Sequence, residues 1–306
     1  MGAVLVLGSA NTDLTVRAER LPRPQETVTD GEFSASFGGK GANQALAALR
    51  AGAQTRLIAR IGRDAFGERL ADHLAGSGLP REGLIRDDTA PAGVALIGVD
   101  REGTNQILVA PGSNKHLSPQ DLHRSEHFLS GCSVFLSQLE TPLETVQSGL
   151  ETAREAWLFT VLDPAPSREL PETVYPLLDL ITPNEREAGD LTGVDVHSPE
   201  TAAKAGRLLL DRGCGAALIT LGGQGALFAS GDREELIPPH SVQAVDTVAA
   251  GDAFNGALAA ALSEGAPVLQ AVRFAAAAGA LSTTRSGAQD SLPDREEIEA
   301  LARSSS

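Results

Sequence analysis

Six short apolar runs punctuate the chain: "AVLVLG" (Ala3 to Gly8), "TRLIARI", "SVFLSQL", "WLFTVLD", "DLITP" and "AALITL". Each is short enough for a strand. None alternates with polar residues as a strand with one wet face would, so the runs predict strands buried on both faces. Helical periodicity lies between most of them. "DAFGERLADHLAGSG" opens on a capping Asp64, places Phe66, Leu70 and Leu74 on one face and ends in glycine. "ETAAKAGRLLLDRG" behaves in the same way. Buried strands alternating with amphipathic helices predict an α/β fold, a mostly parallel sheet covered on both faces.

Two regions break this rhythm. Residues 14 to 37 alternate polar and apolar positions, carry prolines and lack a helical pattern. "GVALIGVDREGTNQILVAPG" (Gly93 to Gly112) reads as a hairpin around "DREG". Together they predict a small antiparallel sheet apart from the main one. Such a sheet exposes one face, which must cover a cleft or pair with another copy.

Composition narrows the classes. The chain has 306 residues, enough for one large α/β domain, here taken as residues 1–306 with the small sheet inserted. Its formal net charge of −15 argues against binding nucleic acid or an anionic membrane surface. The two cysteines, Cys132 and Cys214, form neither a metal spacing nor a disulfide framework. The N-terminus has no basic segment or cleavage pattern, and no apolar run is long enough to cross a membrane, so the expected location is the cytoplasm.

In parallel α/β sheets, ligands sit beyond the carboxyl ends of the strands. Asn11 and Asp13 follow the first predicted strand there. Glu140 follows the third, Asp163 the fourth, Asn184 and Glu187 the fifth, and "LGGQG" the sixth. After Glu140, "TPLE" (Thr141 to Glu144) has the form of a capping box with proline at the first helical position.

Two glycine-containing stretches carry the chemistry. In "SFGGKGANQALAAL" (Ser36 to Leu49), Lys40 follows Gly39. A phosphate-binding P-loop would need glycine at position 34, which is Ser34, and Ser or Thr after the lysine, which is Gly41. The stretch is therefore no P-loop. It supplies backbone N–H groups at a helix start together with Lys40 and Asn43, a set suited to the oxygens of a small polar ligand. In "AVDTVAAGDAFNGALAAAL" (Ala244 to Leu262), a helix is expected to begin near Gly251 or Asp252. The N–H groups of Ala249, Ala250, Gly251 and Asp252 would then converge as an anion hole, with the Asp252 carboxylate beside it. An Asp in that position can orient and deprotonate an attacking hydroxyl in phosphoryl transfer.

These two stretches, in this order, resemble the ribokinase branch of the ribokinase-like (PfkB) carbohydrate kinase family. "GSANTD", "QLETPLE", "DPAP", "ITPNEREAGDLTG", "LITLGGQGA" and "TRSGAQDS" support the resemblance, which runs essentially the whole chain. It implies a three-layer, doubly wound α/β fold whose small sheet is a lid over the sugar and a dimer contact. It implies an ATP-dependent kinase that phosphorylates D-ribose at the 5-hydroxyl, requires Mg2+ and is activated by K+. By the same resemblance, Asp252 is the catalytic base, and Ala249, Ala250 and Gly251 form the anion hole. Asn11, Asp13, Gly39, Lys40, Gly41, Ala42, Asn43 and Glu140 hold the sugar. Asn184 binds nucleotide, and Glu187 organises magnesium and phosphate. Thr220, Leu221, Gly222, Gly223, Gln224 and Gly225 form a loop beside the ATP. Asp246, Val248, Ser282, Arg285, Gly287 and Ser291 surround the potassium. One departure concerns the adenine site, where Ala276 stands at a position that is polar in several relatives. A sister kinase for deoxyribose, a nucleoside or another furanose is the nearest alternative. A non-catalytic sugar-binding protein is a remote one, since Gly251 and Asp252 are both present. A nucleotide-dependent dehydrogenase is disfavoured by the missing GxGxxG fingerprint.

Overall fold

The computed structural model describes residues 2–231 and 233–304. The chain enters the large sheet as β1 (Ala3–Leu7) and leaves it for the small sheet through β2 (Asn11–Arg17) and β3 (Glu32–Gly38). It returns by α1 (Lys40–Arg50) to β4 (Thr55–Gly62), α2 (Ala65–Gly76) and β5 (Leu84–Asp87). β6 (Gly93–Val99) and β7 (Asn105–Ala110) complete the small sheet. The chain then runs through α3 (Pro119–Arg124), β8 (Cys132–Ser137), α4 (Leu143–Glu155), β9 (Phe159–Leu162) and β10 (Leu180–Ile181). Next come α5 (Glu185–Thr192), α6 (Pro199–Asp211), β11 (Ala217–Thr220), β12 (Ala226–Ser230) and β13 (Arg233–Ile237). α7 (Ala250–Ser263), α8 (Val268–Ser282) and α9 (Arg295–Ser304) close the fold.

Among the described residues the large sheet has nine strands in the order β13-β12-β11-β10-β9-β8-β1-β4-β5. From β11 to β5 every pairing is parallel, and β12 and β13 add an antiparallel edge. β1 shows why its sequence is apolar throughout. Val4 and Val6 enter a core shared with α1, α2, α7, α8 and α9, while Leu5 and Leu7 enter one shared with α3, α4 and α6. The doubly wound, three-layer expectation is met. Among the described residues no helix is long and apolar enough to cross a membrane.

The small sheet has the order β3-β2-β6-β7. Its two outer pairings are antiparallel, as the hairpin pattern predicts, and its central β2–β6 pairing is parallel. β2 begins at Asn11 rather than at residue 14, so two candidate sugar ligands lie on a strand of this sheet and not on a loop. One face is strongly apolar and open to solvent: Phe33 is 67% exposed and Leu108 70%.

Local structure departs from expectation in two places. Asp64 caps α2 as expected, accepting from Gly67 N at 2.8 Å, but Phe66 lies at the surface, and Gly67, Leu70, Ala71 and Leu74 form the buried face. The capping box expected over Thr141 to Glu144 does not form. Pro142 is extended at the N-cap of α4, so the helix starts at Leu143 and Thr141 falls outside the cap. Thr141 Oγ1 is left buried without a partner among the described residues.

α1 and α7 cross where both are built from small residues. A Cβ on Gly256 would lie 2.4 Å from Ala47 Cβ and 2.5 Å from Gln44 O. Gly256→Ala should therefore push the helices apart and lower stability by about 1–3 kcal/mol. Urea unfolding at neutral pH checks this, and a midpoint equal to the parent's would show that the crossing tolerates a methyl group.

Candidate active site

The site is assembled where β1, β8, β9 and β10 end, between the starts of α1 and α7. The "GGKG" turn is shaped first by its own packing. Gly39 has φ +87°, and a Cβ there would lie 2.7 Å from Asn11 N. A Cβ on Gly41 would lie 2.6 Å from Gly8 C and Ser9 N. Side chains at either position would separate α1 from the β1–β2 connection, so these glycines serve the fold, bringing the helix start onto the strand ends. Ala42, another candidate sugar residue, is buried in the core, and its N–H goes to Ser9 O at 2.8 Å.

Glu140 fastens this junction. Its Oε2 accepts from Ser9 Oγ and, at 3.1 Å, from Lys40 N. Asn11 Oδ1 accepts from Asn114 Nδ2 at 2.7 Å, and Asn114 Oδ1 accepts from Ala10 N at 3.0 Å. Asp13 stands opposite Ser36, and its carboxylate fills the space that a side chain at Gly38 would take. Burial, with Glu140 and Asp252 nearby, raises its pKa to about 6.

Asp252 lies in the first turn of α7 and is only 5% exposed. Two amides from consecutive residues of α1 hold it: Asn43 Nδ2 donates to Oδ2 at 2.8 Å and Gln44 Nε2 to Oδ1 at 3.0 Å. Gln44 Nε2 also donates to Asp163 Oδ2 at 2.7 Å, and Gln44 Oε1 accepts from Gln138 Nε2 at 2.6 Å. Burial raises the pKa of Asp252, against the pull of Lys40 and the two amides. Burial raises that of Asp163 to about 8, against Lys40 and Gln44. Burial works against the charge of Lys40 too, yet the field of Asp252, Asp163, Glu140 and Glu187 holds it above its ordinary value. The cation is the counter-charge for a nest of carboxylates.

α7 begins at Ala250, one residue before the expected start. Ala249 precedes it in the left-handed region with φ 60°. The expected convergence of four free N–H groups is reduced by one, since Ala250 N donates to Thr247 O at 3.3 Å. Among the described residues, the N–H groups of Ala249, Gly251 and Asp252 have no partner. A Cβ on Gly251 would meet nothing within 4 Å, so the backbone there faces open space. The left-handed turn is itself fastened. Asp246 Oδ1 accepts from Val248 N and Oδ2 from Gly287 N, each at 3.0 Å, and Thr283 O accepts from Val245 N and Asp246 N.

Of the six candidate potassium residues, Asp246, Val248 and Gly287 thus meet directly. Ser282 and Ser291 are buried nearby in sequence, with their hydroxyls spent inside their own turns on Gly279 O and Ala288 O. The Arg285 side chain pairs with Glu297 instead. The structure also brings the nucleotide candidates together, since Asn184 bridges Thr220. Asn184 and Glu187 form a reciprocal capping box at α5: Asn184 Oδ1 accepts from Glu187 N at 2.9 Å and Glu187 Oε2 from Asn184 N at 3.0 Å. Gly222, Gly223 and Gln224 form an exposed turn, Leu221 is buried in the core, and Gly225 is needed because a Cβ would lie 2.0 Å from Ile237 O. No group of three or more His, Cys, Asp or Glu side chains among the described residues could hold a metal by itself.

Sequence reasoning missed Gln44, Gln138, Asn114 and Gln289 as parts of this network. Gln44 and Gln138 did carry a signal, since each stands at the edge of an apolar run, Gln44 before "ALAAL" and Gln138 within "SVFLSQL". Such a residue has to find buried partners.

The pfkB family carbohydrate kinase description matches residues 1–295. A ribokinase of Haemophilus influenzae is 39% identical over 292 residues, 95% of each chain. A deoxyribokinase of Salmonella typhi is 35% identical over 296 residues, 96% of this chain and 97% of that one. Among solved structures, an Arabidopsis thaliana ribokinase complexed with ribose and ATP superposes with a TM-score of 0.92 at 30% identity, covering 99% of both chains. The chain belongs to the pfkB family of carbohydrate kinases. Within that family it is a ribokinase-type sugar kinase, a phosphotransferase.

The buried acids make a stability prediction. The folded pKa of Asp163, about 8, lies above its unfolded value near 3.8. Its neutral form is thus favoured in the fold, and that contribution is lost as pH rises through about 8. Urea midpoints of the parent should fall as pH rises from about 4 to 8 and level off above, and Asp163→Asn should flatten part of that fall while matching the parent near pH 4. Parallel pH dependences in the two proteins would refute the assignment.

Proposed function

We propose that the chain transfers the γ-phosphoryl group of ATP to the 5-hydroxyl of D-ribose, with Asp252 as general base. One observation carries the reading. A buried carboxylate held by two amides stands in the same helical turn as the N–H of Gly251, which has no partner among the described residues. The sugar would lie among Asn11, Asp13, Lys40, Asn43 and Glu140, polar groups fixed by the strand ends. Asn43 and Lys40 can donate to sugar oxygens, and Asp13, Glu140 and Asp252 accept from hydroxyls. Asp252 takes the proton of the attacking hydroxyl. Burial makes it a stronger base than an ordinary carboxylate, while the charge of Lys40 favours its ionised form. The N–H groups at the start of α7 receive the negative phosphoryl oxygens as they pass.

Asn184 and the turn from Thr220 to Gly225 are the proposed nucleotide contacts. The capping box commits Oε2 of Glu187 and leaves Oε1 for a magnesium-bound water. Magnesium, bound with ATP, supplies the positive charge that offsets the β- and γ-phosphates. Potassium near Asp246, Val248, Ser282, Arg285, Gly287 and Ser291 would stiffen the turn that presents Ala249. The apolar face of the small sheet supports a lid that closes over the sugar and pairs with a second copy as a homodimer. We place the enzyme in the cytoplasm. A second reading, deoxyribose as acceptor, is favoured by the deoxyribokinase relative.

ADP release with ATP, Mg2+ and D-ribose should be sugar-dependent and raised by K+, and Asp252→Asn should lower kcat about 10²- to 10⁴-fold. Faster turnover with deoxyribose would move the error to the sugar pocket, while near-parent turnover of Asp252→Asn would refute the base.

Gly251→Ala separates chemistry from folding. The added methyl meets no protein atom, so the urea midpoint should match the parent, while kcat falls about tenfold or more as the methyl enters the phosphoryl path. Unchanged kcat would remove Gly251 from the anion hole.

A further inference from the structure

The carboxylate of Asp252 is the end of a longer chain of hydrogen bonds. Asn43, which donates to it, accepts at Oδ1 from Gln289 Nε2 at 3.1 Å. Gln289 Oε1 is 2.8 Å from His73 Nε2. Since Gln289 uses its amide N–H toward Asn43, its oxygen is the acceptor, and His73 Nε2 carries the hydrogen. The His73 ring stacks on Phe37 of the small sheet, with centroids 4.3 Å apart and planes inclined by 23°. Phe37 directly precedes Gly38 and the "GGKG" turn.

Every link points the same way: His73 to Gln289 to Asn43 to Asp252. Such an aligned series polarises each successive donor toward the carboxylate. Two neutral amides cannot pass a proton along, so the series positions the carboxylate and does not relay its proton. Its middle members are fixed: Asn43 is 5% and Gln289 4% exposed. Arg50 of α1 holds the main chain of Gln289 through Gln289 O and Leu292 O, both at 2.8 Å. The far end is set by a residue of the small sheet, so the posture of that sheet bears on the rotamer of the carboxylate.

We propose that Gln289 and His73 are positioning residues for Asp252, acting through Asn43, and that the Phe37 stack ties them to the small sheet. This rests on the reading of Asp252 as the base.

The test compares steady-state kinetics of the full chain with D-ribose and MgATP for Gln289→Leu, His73→Ala and His73→Gln, alongside Asp252→Asn. Gln289→Leu should lower kcat about tenfold, and His73→Ala about threefold, with the KM for ATP unchanged. His73→Gln, which restores an N–H donor at the end of a side chain, should recover the loss. A merely structural role would not give a kcat-only defect rescued in this way. If Gln289→Leu fails to fold, the His73 pair decides, since His73 lies part-exposed on α2. Parent-like kcat in His73→Ala, or a defect that His73→Gln does not repair, overturns the proposal while leaving Asp252→Asn inactive and the base assignment standing. Near-parent turnover in Asp252→Asn overturns both.

Discussion

A carboxylate buried at a helix start must be held by something other than water, and the crossing of α1 and α7 supplies that hold. Gly256 lets the two helices approach until Asn43 and Gln44 reach Asp252. Lys40, from the first turn of the same helix, brings the opposing charge. Without that approach, Asp252 would face an apolar interior with neither donors nor counter-charge, at the cost that burial of an unpaired charge carries. Much else in the site depends on the same contact. Glu140 fixes where α1 begins, Gly39 and Gly41 let that beginning sit on the strand ends, and the Asp246 turn fixes where α7 begins.

The arrangement sets stability against reactivity. Asp13, Asp163 and Asp252 are all pushed toward their neutral forms, so the fold is under electrostatic load near neutral pH. Lys40 relieves part of it. Acids strained in this way are the ones able to accept a proton from a hydroxyl, and this is a common reason for their burial.

Much of this was legible in the sequence because strands buried on two faces leave no room for polar residues. The six apolar runs marked the parallel sheet, and the polar residues at their ends marked the rim where α1 and α7 begin. The glycines carry a second demand that the sequence hides: Gly39 and Gly41, expected at the sugar, also answer a packing requirement from Gly8 to Asn11, segments that no periodicity places beside them. Thr141 misled because Pro142 can begin a helix or stand just before one, and only the backbone at that point distinguishes the two. The amide network escaped because its partners come from positions far apart in the chain, and hydrogen-bond direction leaves no trace in composition.

The central pairing of the small sheet has a consequence for how the molecule is made. β2 and β6 run parallel, and α1, β4, α2 and β5 all lie between them in sequence. A parallel pair cannot be closed by a turn, and contacts across long loops form late because the loop entropy comes first. Each outer hairpin can arise locally, but the sheet as a whole waits until the first third of the large sheet has brought β2 and β6 side by side. The small sheet is thus completed by the fold that carries it and has no separate existence as a module.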